Sequence, residues 1–175
     1  NGRTADLRVE VFEKTFTSKG VVTLKLRSIK EQLPTFQPGA HIDLHLPNGL
    51  VRQYSLINGP GETSYYQIGV KLEKNSIGGS ENIHKNLKVG DILATSVPRN
   101  NFPLRRDSVQ TIFIAGGIGI TPLLSMSQAL ASMGLSFELH YFVQNEEEIS
   151  FKEILKKIEK SVIIHTGLSP KDTMK

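Results

Sequence analysis

The sequence predicts a β + α/β chain in two parts: an antiparallel β-barrel of about six short strands over residues 1–104, then a partial parallel-sheet α/β unit over residues 105–175. Three observations carry that expectation. Runs of alternating apolar and polar residues fill positions 5–100, with turn residues between them, as strands with one face in a core require. Beyond residue 110 the runs become continuously apolar and are separated by helical spacing. At the change stands TIFIAGGIGITPLLSM, Thr111 to Met126, an apolar stretch that runs into glycines and then into a helix pattern.

In the first part, Leu7, Val9 and Val11 alternate. So do Val22, Leu24 and Leu26, then Ile42, Leu44 and Leu46, then Tyr66, Ile68, Val70 and Leu72. LPNGLV places Asn48-Gly49 between two such runs, a hairpin signal because both residues tolerate positive φ. INGPGETS reads as a second turn. In the second part, Thr111-Ala115 has the composition of a strand buried on both faces. The turn that follows holds Gly116, Gly117 and Gly119, and Pro122 suits the first helical position. Leu123-Met133 has helical spacing, with Gly134 where a C-terminal cap belongs. LSFELHYFV and SVIIHT are two further strands. Between them, Ser150-Phe151-Lys152-Glu153 has the spacing of a capping box, and Lys156, Lys157 and Lys160 complement the helix dipole at the far end. This is one βαβαβ unit, half of a dinucleotide fold. The boundary is expected in PLRRDSVQ, which is polar and led by proline.

Composition narrows the function classes. With 38% hydrophobic and 22% charged residues, the chain belongs among soluble globular sequences, and a cytoplasmic protein is expected. No apolar run has the length of a membrane span, so no membrane partner is expected. The absence of cysteine excludes disulfides, thiolate metal sites, cysteine nucleophiles and cysteine-held clusters within these residues. A net charge of +4 suits a phosphate-bearing ligand or an acidic partner. The basic residues are dispersed and no tryptophan is present, which argues against nucleic acid. No metal site is expected: His41 and His45, four apart on a strand, would stand about 13 Å from each other.

Three motifs carry chemistry. Strand, glycine turn and helix start make an anion site at Gly116-Thr121, although Pro122 occupies the place of the third glycine in G-x-G-x-x-G, and the same stretch also describes a plain tight turn. In VRQYSL, Arg52 and Tyr54 share a face, so a guanidinium stands beside an aromatic plane. Taken alone, that pair reads as an exposed cross-strand pair; Ser55 points the other way and joins it only where the strand bends or ends. In NSIGGSENIHKNL, Gly78-Gly79-Ser80 precedes an amphipathic segment, with Ser80 as a candidate N-cap. It equally describes a glycine loop and cap. VPRNNFPL, at the end of the barrel, has no chemistry that follows from its residues.

The order R-x-Y-S, G-V-K, G-G-S, P-R-N-x-F and G-G-I-G-I-T-P resembles the ferredoxin reductase-like flavoproteins. More narrowly it resembles the phthalate dioxygenase reductase family, which includes vanillate demethylase and other Rieske-oxygenase reductases. The resemblance spans nearly the whole chain and rests on the ordered set. It implies a flavin-binding barrel first, a nicotinamide domain second, and G-x-G-x-x-P as the usual turn. By that resemblance, Arg52 would bind the flavin phosphate, Tyr54 would pack on the isoalloxazine ring, and Ser55 would hydrogen-bond near the reactive N5. Gly69, Val70 and Lys71 would line the polar edge of the ring through backbone groups. Gly78, Gly79 and Ser80 would cradle the phosphate, and Gly116, Gly117, Gly119 and Thr121 would face the nicotinamide. Ser55 and Thr121 are thus the residues expected at the reacting atoms.

The implied function is an NAD(P)H-dependent flavoprotein reductase that passes electrons through FMN to an iron–sulfur acceptor or an oxygenase component. NADH or NADPH would be the donor. FAD without an oxygenase partner is the alternative, as is a non-enzymatic flavin-binding electron-transfer module. Relatives carry a second half to the nicotinamide domain and, in most, a 2Fe-2S domain held by four cysteines. These 175 residues reach neither, and a portion of a longer reductase is expected.

Overall fold

The computed structural model describes residues 5–59, 61–62, 64–74, 77–101, 103–104 and 110–167. Arg105 to Val109, where the boundary between the two parts was expected, lie outside them, as do Asn75, Ser76 and Phe102.

The first part is a six-stranded antiparallel sheet built from β1 (Leu7–Ser18), β2 (Val21–Ser28), β3 (His41–His45), β4 (Val51–Ser55), β5 (Tyr66–Lys71) and β6 (Ile92–Thr95), in the order β4-β3-β6-β1-β2-β5. Alternation places Val9, Val11, Val22, Leu24, Leu26, Ile42, Leu44, Ile68 and Val70 in one buried cluster. The Asn48-Gly49 signal is realised as a hairpin between β3 and β4. Gly49 takes the positive φ of 88° and donates to Leu46 O, while Asn48 Oδ1 accepts from the Leu50 N–H.

The curled sheet brings its two edges, β4 and β5, face to face. Just past β4 the chain crosses that seam, and Ile57 donates its N–H to Gln67 O at 2.9 Å. Above the crossing the seam stays open, and α1 (Gly79–Lys85) sits at its far end. Three contacts hold α1. Ile83 and Leu87 enter the barrel core, His84 Nε2 donates to Val70 O at 2.8 Å, and Lys14 Nζ donates to the carbonyls of Ile83, His84 and Leu87 at 2.7–2.9 Å. Lysine here satisfies the helix's orphan C-terminal carbonyls from another element.

The expected N-cap at Ser80 is corrected by the structure. The helix starts two residues earlier, Gly78 is the cap at φ 91°, and Ser80 lies within the first turn. Its Oγ instead accepts from the Glu73 N–H at 3.0 Å, because the returning end of β5 brings that donor within reach.

The second part is a parallel three-stranded sheet, β7 (Thr111–Gly116), β8 (Phe137–Val143) and β9 (Val162–Thr166), in sequence order. A 3-10 turn, Gly117–Ile120, leads into α2 (Thr121–Ser132), with Pro122 in its first turn. Gly134 ends α2 at φ 69°, with Leu135 N bonded to Leu130 O and Gly134 N to Ala131 O, the bonding of a Schellman motif. α3 (Lys152–Lys157) joins β8 to β9.

Two expectations change here. Ser150 does not cap α3. Phe151 occupies the cap position at φ 61°, and the Ser150 hydroxyl is taken by Ser18 Oγ at 2.6 Å. Within the described residues the strand at Thr111 is covered on one face only: Ile112 and Ile114 are 54% and 44% exposed. Among the described residues β7 stands at one end of the three-stranded sheet, and α2 and α3 pack on the same side of it, as right-handed crossovers running in one direction require. On that side Leu124, Met126, Leu130, Leu139, Tyr141, Ile154 and Leu155 form a second buried cluster. Val21 and Ile57 of the first part join it. None of the described helices is long and apolar enough to cross a membrane.

Candidate functional site: a cleft between the barrel seam and the glycine turn

The open part of the β4–β5 seam is a cleft of about 330 Å³ lined by Arg52, Gln53, Tyr54, Ser55, Gly69, Lys71, Glu73, Ser80, Ile118 and Thr121. Residues from four separate stretches of sequence meet there, and each arrives for a local reason. On β4, Arg52 and Tyr54 pair with Leu44 and Ile42 of β3, so both project to the core side of an edge strand, where long side chains reach the opening. Ser55 is the last residue of β4, and the strand's end lets it join the cleft despite its opposite parity.

Burial pushes the Tyr54 phenol up to about 12, against the opposing pull of the Arg52 charge. Tyr54 is therefore a neutral ring with an intact hydroxyl at any physiological pH. Arg52 gives one donor, Nη1, to its neighbour's carbonyl, Val51 O, at 2.9 Å. Its side chain lies across the start of α1, so close that a β-carbon on Gly79 would stand 2.7 Å from Nε and 3.0 Å from Cγ. A guanidinium and the first turn of a helix thus converge at one end of the cleft. The Ser80 hydroxyl accepts from Glu73 there, so its own proton remains able to donate.

On β5, Gly69 and Lys71 face the cleft, whereas the Val70 side chain is buried in the barrel and its carbonyl is taken by His84. Across the cleft stand Ile118 and Thr121 from the glycine turn and the start of α2. Thr121 Cγ2 is 3.4 Å from where a β-carbon on Gly69 would be. Gly116, Gly117 and Gly119 are not among the lining residues of the cleft. An added β-carbon at any of the three meets nothing within 4 Å, and only Gly117, at φ 54°, has a backbone that calls for glycine.

Gln53, Glu73 and Ile118 were not picked out by sequence reasoning. Gln53 carried a signal by sitting inside R-x-Y-S, and Ile118 by sitting inside the glycine turn. Glu73 carried none, since its place depends on how the chain leaves β5.

VPRNNFPL finds a structural role in its described residues. Arg99 Nη2 donates to Asp43 Oδ2 at 2.7 Å, Arg99 and His41 exchange backbone hydrogen bonds, and Asn100 Nδ2 donates to Pro38 O at 3.0 Å. These bonds tie the barrel's exit to β3. Burial, followed by the Arg99 charge, lowers the His41 pKa below the ordinary histidine value, with Asp43 opposing.

No protein-family profile matches the chain. Curated relatives do. Oxidoreductase NdmD of Pseudomonas putida is 43% identical over 164 residues, which is 94% of this chain and 28% of that protein. Vanillate O-demethylase oxidoreductase of Pseudomonas sp. (strain HR199 / DSM 7063) is 50% identical over 124 residues, 71% of this chain and 39% of that one. Among solved structures, phthalate dioxygenase reductase, described as a modular structure for electron transfer from pyridine nucleotides to 2Fe-2S, superposes with a TM-score of 0.88 at 36% identity. That match covers 94% of this chain and 53% of the other. The chain therefore spans between roughly a quarter and a half of the length of these proteins. Over the part of them that it spans, the chain belongs to the phthalate dioxygenase reductase and vanillate demethylase family of ferredoxin reductase-like oxidoreductases.

Proposed function

We propose that the chain is the flavin- and nicotinamide-binding portion of an NAD(P)H-dependent reductase that passes electrons through FMN to an iron–sulfur acceptor, as the reductase component of a Rieske-type oxygenase system. The observation that carries this reading is that one cleft is shared by the R-x-Y-S strand end of the barrel and the helix start after the glycine turn. Residues 1–104 then form the flavin-binding part, and residues 105–175 the first half of the nicotinamide-binding part.

The residues present suit a flat ring with a terminal phosphate. Arg52, held over the first turn of α1 by the missing side chain of Gly79, would take the phosphate together with Gly78, Gly79 and the Ser80 hydroxyl. This convergence at the end of the cleft favours FMN over FAD. Tyr54 would pack against the ring, the backbone of Gly69 and Lys71 would hold its polar edge, and Ser55 would donate near its reactive nitrogen. Gly116, Gly117 and Gly119 leave room in front of α2, and Thr121 would orient the nicotinamide. A flavin supplies the ability to accept a hydride from a reduced nicotinamide and to release its electrons singly. The protein's share is to bind, align and shield the two rings. No acid–base residue is required of it. The reductase names of the relatives support an oxygenase or iron–sulfur acceptor as partner.

The test is to purify the chain, release its ligand by denaturation, and identify the flavin by chromatography. FMN is expected, followed by bleaching of the bound flavin on anaerobic addition of NADH or NADPH. Release of FAD would overturn the cofactor assignment. A chain that takes up no flavin would overturn the reading of the cleft. Flavin that neither nucleotide bleaches, even in the longer protein, would leave an electron-transfer module in place of a reductase.

A further inference from the structure

Phe151 is, among the described residues, the one non-glycine position with positive φ, at φ 61° and ψ 37°, and it is 3% exposed. A bulky residue keeps left-handed backbone only where its surroundings over-determine it. They do so here. The Phe151 N–H donates to Thr17 Oγ1 at 2.7 Å, and the neighbouring Ser150 is bonded to Ser18 Oγ at 2.6 Å and to Tyr141 Oη at 3.3 Å. Thr17 and Ser18 end β1, so these bonds fasten the start of α3 to the barrel and aim the Phe151 ring across the boundary between the two parts.

The ring's tip meets Gly69. A β-carbon there would lie 2.6 Å from Cζ and 2.8 Å from Cε1 of Phe151, as well as 3.4 Å from Thr121 Cγ2. The φ of Gly69 does not demand glycine, so it is the room taken by the ring that does. Gly69 and Thr121 face each other in the cleft, and Phe151 stands behind them, lining a second cavity of about 290 Å³ with Lys25 and Gln67. The other attachments of α2 grip its middle: Ser125 Oγ donates to Asn58 O at 2.9 Å and Gln128 Nε2 to Ile57 O at 2.8 Å. At its N-terminal end the turn Gly117–Ile120 comes against β5, at the place where Phe151 meets Gly69.

We propose that Phe151 is a positioning residue: by seating its ring on Gly69 it sets the distance between β5, on the flavin side of the cleft, and Thr121, on the nicotinamide side. This rests on the flavin and nicotinamide reading of the cleft. Ring approach governs hydride transfer steeply, whereas the phosphate grip of Arg52 and Ser80 lies at the other end of the cleft. Disturbing the wedge therefore separates nicotinamide reactivity from flavin affinity.

The test uses Phe151→Leu, which withdraws the contact, Phe151→Tyr, which drives a hydroxyl from Cζ into the β5 backbone, and Phe151→Met, which keeps the reach in a pliant side chain. For each FMN-loaded protein, FMN affinity, the nicotinamide–flavin charge-transfer absorbance and the anaerobic bleaching rate at saturating NADH are measured. Amide hydrogen exchange around Gly69 and Thr121 is measured without flavin. The expected result is unchanged FMN affinity throughout. Leu and Tyr should lose the charge-transfer band and slow by about tenfold or more, Met, whose pliant chain holds the spacing less firmly, should slow by less, and exchange should be faster in Leu. Parental bleaching and an intact band in Leu and Tyr would overturn the proposal. So would a loss of FMN affinity in step with the rate, which would make Phe151 part of the flavin site. If Leu and Tyr do not fold, slowed bleaching in Met at parental FMN affinity supports the proposal, and parental exchange together with parental bleaching in Met overturns it. A parent chain that binds no FMN defeats the reading of the cleft instead, and exchange then decides the wedge by itself.

Discussion

The Arg52 Nε lies 2.7 Å from the point where a β-carbon on Gly79 would stand. One residue's missing side chain is thus the seat of another's. The obstructed group is a flexible side chain, so Gly79→Ala is expected to displace Arg52 while sparing the fold. Its thermal midpoint should stay close to the parent's, FMN should bind more weakly, and riboflavin, which has no phosphate, should bind as before. Parallel titrations of the two flavins check this, and equal weakening of both would refute it.

Removing the guanidinium outright is the stronger form of the experiment. Arg52→Ala should cost about 1.5–3 kcal/mol of FMN binding, the range for a hydrogen bond to a charged group, with a much smaller loss for riboflavin. Isothermal titration gives both numbers directly.

Gly119 has neither a positive φ nor any atom within 4 Å of an added β-carbon. Gly119→Ala is then expected to stabilise the chain by about 0.4–1 kcal/mol by restricting the unfolded state. If the room it leaves is for the nicotinamide, NADH-dependent bleaching should slow in the same variant. Denaturant unfolding and stopped-flow absorbance, run on one preparation, read the two opposite effects. Unimpaired bleaching would remove Gly119 from the nicotinamide site.

The pair of Arg99 and Asp43 predicts an asymmetry. The Asp43 side chain is 3% exposed and that of Arg99 is 32% exposed. Arg99→Ala strands a buried carboxylate and is expected to cost about 3–5 kcal/mol. Asp43→Ala leaves behind a charge that water still reaches and should cost less. Equal costs in denaturant unfolding would mean that burial does not set the balance.

His41, packed against that pair, predicts a pH dependence. Its folded pKa lies below the unfolded value of about 6.5, so the unfolded chain binds the proton more readily in the window beneath that value. The contribution of His41 is fully present above the unfolded pKa and is lost as the pH falls below it. Between pH 7.5 and pH 5.5, the parent should therefore lose more stability than His41→Gln. An identical loss in both would show that His41 is not the group responsible.

Much of the architecture was legible because it depends on neighbours in sequence. Alternation at Leu7, Val9 and Val11 marks a strand whatever it pairs with, and only a hairpin follows naturally from Pro47-Asn48-Gly49 between two such runs. Gly134 was readable as a cap because a helix end needs a left-handed residue locally. The motifs of the cleft were readable one at a time for the same reason.

What tertiary structure alone decided concerns partners far apart in the chain. Ser80 and Ser150 both have the local chemistry of caps, yet their hydroxyls serve Glu73 and Ser18, which only the fold brings near. Gly69 shows no local need for glycine; its reason is the Phe151 ring, which the spacing of a capping box had hidden. Local conformational preference is written in short stretches of sequence. Which side chain claims a given donor or a given space is settled only when distant segments pack, because burial makes each unfilled bond and each overlap costly.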